Sequence, residues 1–95
     1  MDANIRRIKE KILPLLKDYG VERAGLFGSC VIGQMRKDSD IDILVEIKRD
    51  VSLLDFIELK QKIEEVLRRK VDLVEYDTVK PLLKDKIFSQ QVVIL

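Results

Sequence analysis

From Asp40 to Lys48 the chain alternates: Ile41, Ile43, Val45 and Ile47 are interleaved with Asp40, Asp42, Leu44 and Glu46. A period of two with β-branched residues on one side predicts a strand with a buried face. The other face opens on two carboxylates at i and i+2, which a strand must point the same way. An acid at the start of an otherwise apolar strand costs stability unless it is paired or bound to a metal. This stretch therefore demands both a sheet around it and a partner for Asp40 and Asp42.

The rest of the chain supplies the sheet. Residues 4–19 carry Ile5, Ile8, Ile12, Leu15, Leu16 and Tyr19 at helical spacing, with Gly20 as a C-terminal stop. Pro14 inside this pattern is expected to bend or interrupt the helix. Residues 22–27 are short and, ending at Gly28-Ser29, predict a first strand feeding a helix start. The segment 33–39 is polar and turn-like. Ser52 predicts the cap of a helix running to about Arg68, with Phe56, Leu59, Ile63, Val66 and Leu67 on its buried face. Residues 70–75 predict another strand, Thr78 with Pro81 behind it a short helix, and residues 91–95 a last strand. Helices and strands alternate with short connections and no linker, repeat or low-complexity stretch, so residues 1–95 are expected to form a single domain of the α/β class.

Composition matters here mainly through what it excludes. The chain has no His, which removes His-based metal sites and Ser-His-Asp or Cys-His nucleophiles. Its single cysteine, Cys30, cannot form an internal disulfide and reads as a small buried residue. No apolar run approaches the roughly 18 residues of a membrane span and no signal peptide is evident, so a cytoplasmic location is expected. Eighteen Lys and Arg against 17 Asp and Glu leave a net charge of +1, which gives no electrostatic sign of nucleic-acid binding.

Two further motifs bear on chemistry. Gly28-Ser29 at a strand-to-helix turn offers backbone N–H groups and a hydroxyl to a phosphate. Gly28 and Gly33 have the outer spacing of a P-loop, but Gln34 and Met35 stand where its Lys and Ser/Thr belong, and no G-x-G-x-x-G is present. Asp38, Asp40 and Asp42 fit the first positions of an EF-hand loop, yet Ile43 and Arg49 occupy its required Gly and Glu positions, so a calcium loop is excluded. Asp72 lies between Val71 and Leu73 in the strand at 70–75. If that strand neighbours 40–48, a strand spacing of about 5 Å would gather Asp40, Asp42 and Asp72. Glu75 has the wrong parity to join them, and Asp77 belongs to the following turn. Paired hard oxygens facing a phosphate turn suit Mg²⁺ and phosphoryl or nucleotidyl transfer.

These residues together resemble a known family. Gly28-Ser29, ten intervening residues and Asp40-x-Asp42 are similar to the core motif of the DNA-polymerase-β-type nucleotidyltransferases. Leu26-Phe27-Gly28-Ser29, Ser39 to Val45, Leu53 to Leu59 and Lys70 to Val74 resemble the minimal nucleotidyltransferase (MNT) group almost end to end. One departure is visible: Ile32 stands where members often carry Arg, in a Gly-Ser-x-Ala-Arg-Gly stretch. The resemblance implies a nucleotidyltransferase fold, with a mixed sheet of about four strands flanked by helices. It implies that Asp40, Asp42 and Asp72 bind two Mg²⁺ ions, and that Gly28 and Ser29 cradle the triphosphate of ATP.

The same group commonly serves as antitoxins beside a HEPN-domain ribonuclease toxin. The implied reaction transfers AMP from ATP to a toxin tyrosine, silencing the toxin in a hetero-oligomer, with no direct nucleic-acid or membrane binding. The alternatives are an antitoxin acting by occlusion alone and a subunit that modifies a small molecule. A chain of this length has room for the nucleotide-binding core but not for a separate acceptor-binding domain, so another protein is expected to present the acceptor.

Overall fold

The computed structural model describes residues 3–28, 40–47 and 51–95. Helix α1 (Ala3–Asp18) is followed by strands β1 (Val21–Phe27) and β2 (Ile41–Ile47), then helix α2 (Leu53–Leu67) and strand β3 (Val71–Glu75). A one-turn 3-10 segment (Tyr76–Thr78), helix α3 (Pro81–Gln90) and strand β4 (Val92–Val93) complete the described chain. The expected helix start after Gly28, the turn at 33–39 and Ser29, Cys30 and Ile32 themselves lie outside the described residues.

The four strands form one mixed sheet in the order β3-β2-β1-β4. Strand β2 is antiparallel to β1 and parallel to β3, and β4 runs antiparallel to β1. A parallel pair cannot be closed by a tight turn, and α2 supplies the crossover. Ser52 caps α2 as the sequence predicts: its Oγ accepts the Asp55 N–H at 3.1 Å. At the other end Arg68 closes the helix in the left-handed region at φ 55°. Glu64 then reaches past the helix end, and its Oε2 accepts the Val71 N–H at 2.9 Å, fixing where β3 begins.

The alternation of β2 sorts the core into two layers. Ile41, Ile43 and Val45 pack with Ile5, Ile8, Ile12 and Leu16 of α1 and with Leu59 and Ile63 of α2. On the opposite face Leu44 joins Tyr76, Val79 and the partly buried Phe27, Val74, Ile87 and Phe88. The β1 register shifts between Val21 and Arg23, so that Val21 and Ala24 can both enter the first layer despite their odd spacing.

Three expectations need correction. Of the two outcomes expected at Pro14, a bend or an interruption, the interruption does not occur, and α1 continues past it. The missing N–H costs a bond to the Glu10 carbonyl, but both residues are exposed, so water can take that carbonyl while the fully buried Ile12 and Leu16 hold the helix against the sheet. Val66 is 40% exposed, because the buried stripe of α2 follows Leu59 and Ile63 and leaves Val66 at its edge. The last helix starts at Pro81 with Lys80 at the cap position. Thr78 instead closes the 3-10 turn, its hydroxyl donating to the Glu75 carbonyl at 2.9 Å.

Candidate active site

The site is built where three backbone segments meet at the start of β2. Antiparallel pairing brings Phe27 opposite Asp42, so the end of β1 and the following Gly28 lie beside this carboxylate. Parallel pairing sets Asp42 against Asp72 in direct register. The conditional expectation that strands 40–48 and 70–75 are neighbours therefore holds. Asp42 and Asp72 lie at corresponding pleats, side by side at about the 4.8 Å spacing of paired strands. Both share the face of Leu44 and Val74, opposite α1 and α2. Asp40 precedes the strand and is exposed.

The electrostatic setting of Asp42 reflects its neighbours. Burial, then the Asp72 and Asp40 carboxylates, push the Asp42 carboxyl from 3.8 up to about 6. Asp42 is half-buried whereas Asp72 is exposed. The pair thus combines a carboxyl held partly out of water with one open to an incoming group. Glu75 and Asp77 are also exposed, but they sit at the far end of β3 and in the 3-10 turn, away from Asp42.

Gly28 has a second role that its sequence context conceals. Its φ is +74°, a conformation costly for a residue with a side chain. A Cβ built on it would fall on the Asp42 carboxylate. The sequence marks Gly28 as a phosphate-binding turn, and the structure shows that its bare backbone also makes the space Asp42 occupies. No local pattern could reveal this, because the contact arises from strand pairing.

Among the described residues, no three His, Cys, Asp or Glu side chains stand close enough to enclose a metal by themselves. Asp42 and Asp72 form the pair and Asp40 lies further out. Their donor chemistry fits a hard divalent cation: carboxylate oxygens alone, with one carboxyl whose raised pKa a nearby cation would lower again.

A turn after one strand, an acid pair across the next two and helices behind the sheet define a nucleotidyltransferase-type site. Residues 10–95 match the model of the polymerase beta nucleotidyltransferase family, and the chain belongs to that family. It is 48% identical over 92 residues to a provisionally named protein adenylyltransferase of Methanocaldococcus jannaschii, covering 97% of this chain and 99% of that one. To the protein adenylyltransferase MntA of Thermococcus cleftensis it is 46% identical over 66 residues, 70% of this chain and 67% of the other. Among solved structures, a toxin–antitoxin with AMP-PNP matches with a TM-score of 0.80 at 30% identity, covering 92% of this chain and 72% of its counterpart. A tri-AMPylated Shewanella oneidensis HEPN toxin in complex with MNT antitoxin matches at 0.73 and 27% identity, over 95% of this chain and 71% of that chain.

Proposed function

We propose that residues 1–95 act as one adenylyltransferase domain, an antitoxin that transfers AMP from ATP to a tyrosine of a partner HEPN ribonuclease toxin and so neutralises it. The observation that carries this reading is the Asp42–Asp72 register pair beside the Gly28 turn, in a chain of this family whose relatives are protein adenylyltransferases. Asp40, Asp42 and Asp72 would hold two Mg²⁺ ions, which supply charge neutralisation for the triphosphate and for the leaving pyrophosphate. Gly28 and Ser29 take the β- and γ-phosphates through backbone N–H groups and the Ser29 hydroxyl.

The exposed position of Asp72 supports its assignment as the group that receives the incoming phenol. Asp72 takes the phenolic proton as the tyrosine oxygen bonds to the α-phosphorus. The bond from that phosphorus to the β-phosphate oxygen breaks, pyrophosphate leaves and AMP stays on the toxin. Asp42, fixed between β1 and β3, orients the triphosphate. Among the described residues no helix is long and apolar enough to cross a membrane. A cytoplasmic location is part of this reading, because ATP and the RNA that a ribonuclease cuts are both found there.

The test is co-expression with a HEPN-domain toxin from the same genome, followed by intact-mass and peptide mass spectrometry. One or more adenylyl groups on a toxin tyrosine are expected with the parental chain and none with Asp42→Asn. A complex that forms, stays inhibited and never carries AMP would replace this reading with occlusion.

A further inference from the structure

We propose that the outer edge of β3 is the acceptor-binding strand: an extended segment of the partner protein pairs with it antiparallel and sets its tyrosine beside Asp72. This rests on the transferase reading above and names how that site holds its acceptor. Among the described residues the sheet ends at β3 on one side and at β4 on the other. A strand added beyond β3 lies about 4.8 Å from it, whereas one added beyond β4 lies four strand spacings from β3, about 19 Å. Strand β3 has five residues and β4 two, so β3 is also the edge with a ladder to offer.

The register fixes which groups face outward. The Ile41 N–H donates to the Lys70 carbonyl at 3.0 Å. By the period of two, Lys70, Asp72 and Val74 turn their peptide groups toward β2, and Val71, Leu73 and Glu75 turn theirs away. The Val71 N–H obeys this alternation, donating outside the sheet to Glu64 Oε2 at 2.9 Å. The Glu75 carbonyl likewise accepts the Thr78 hydroxyl. The Val71 carbonyl, both Leu73 groups and the Glu75 N–H complete the outer row, spaced as an antiparallel ladder requires. Val71 and Leu73 are buried in the main core, which holds this edge in place.

Pairing through Leu73 makes Asp72 an alternate position, where opposed residues exchange no backbone bonds and stand closest, with Cα atoms about 4.5 Å apart. A tyrosine opposite Asp72 then shares the acid face, and its phenol, longer than the carboxylate beside it, projects past Asp72 toward the site. Its two neighbours fall on the other face beside Val71 and Leu73, which suits apolar β-branched residues. The residue three before the tyrosine lies opposite the exposed Glu75, and a Lys or Arg there pairs with its carboxylate. The acceptor segment is therefore basic, any residue, apolar, Tyr, apolar, in a stretch free to lie extended. Main-chain bonds give such strand addition its affinity, and alternate side chains choose the partner. The exposed Asp72 and Glu75 also disfavour pairing of this edge with that of a second copy.

Amide NMR of the isotope-labelled full chain, with chelator and without nucleotide, tests pairing separately from transfer. The probe is a capped Thr-Lys-Thr-Val-Tyr-Val-Thr peptide. Saturable shifts are expected at Val71, Leu73 and Glu75, with half-saturation at about 1 mM and slowed amide exchange at Leu73. Methylating the backbone nitrogen of the Val before the tyrosine, which faces Leu73, should weaken binding about tenfold; methylating the tyrosine's own nitrogen, which faces away, should not. Glu75→Lys should weaken the peptide about two- to fivefold, and Glu in place of the peptide's Lys should restore it. The proposal fails if no shift saturates, if shifts centre on Val92 and Val93, if the two methylated peptides bind alike, or if the charge exchange restores nothing. AMP on the toxin with no response of β3 overturns the edge pairing and leaves the transferase reading standing, whereas pairing with no AMP on any acceptor overturns that reading alone.

Discussion

Replacing Asp42 by Asn should make the protein more stable and less active, and the stability gain should depend on pH in a defined direction. The native Asp42 carboxyl is raised from 3.8 to about 6 by burial and by Asp72 and Asp40. Below about pH 4 it is protonated in both folded and unfolded chains and imposes no penalty. Between about 4 and 6 the unfolded chain has released a proton that the native state still holds, so stability falls as pH rises. Above about 6 the penalty is complete. The rise from 3.8 to about 6 corresponds to about 3 kcal/mol as a ceiling, and because Asp42 is only half-buried, solvent screening reduces this to about 1–2 kcal/mol. Asn keeps the volume and removes the charge. Urea unfolding in the presence of chelator should show parent and variant alike near pH 3.5 and the variant ahead by about 1–2 kcal/mol at pH 8, or roughly 4–10 °C in Tm for a domain of this size. A variant less stable than the parent at pH 8, or a gain independent of pH, would refute the electrostatic account of this site.

The remaining predictions concern the groups around Asp42. Asp72→Asn should lower the rate of AMP transfer by about 10²-fold or more with little change in ATP affinity, since a proton acceptor acts on the transition state; steady-state kinetics on a toxin-derived acceptor, with Glu75→Gln as a comparison that retains activity, measures this. Gly28→Ala should destabilise by about 1–2 kcal/mol from the positive φ alone. It should also displace the Asp42 carboxylate, so that transfer activity falls further than stability does; Asp42→Asn combined with it should not relieve the backbone cost. Glu64→Ala removes the side-chain acceptor of the Val71 N–H and should cost about 1–2 kcal/mol in chemical denaturation, with faster amide exchange at Val71 and Asp72.

Much of this architecture follows from local patterns. The alternation in β2, the helical spacing of Ile5, Ile8, Ile12 and Leu16, and the Ser52 cap each reflect short-range geometry, and the structure keeps all three. Asp40, Asp42 and Asp72 could be singled out for a similar reason: an acid in an apolar strand is conspicuous from its neighbours alone. Pro14 and Val66 show the limit. Local rules bend or break the helix at Pro14 and bury Val66, but packing of α1 and α2 against the sheet keeps the first helix continuous and leaves Val66 outside, because the burial of Ile12, Leu16, Leu59 and Ile63 outweighs one lost bond and sets which stripe faces inward. The pairing of Asp42 with Asp72 depends on β2 and β3 being adjacent, parallel and in that register, and residues 30 positions apart in sequence acquire a common environment only through that pairing. The raised Asp42 carboxyl and the Gly28 backbone that makes room for it arise the same way. Periodicity is a property of one segment, whereas proximity between charges is a property of how segments pack, and the chemistry proposed for this protein depends on the second.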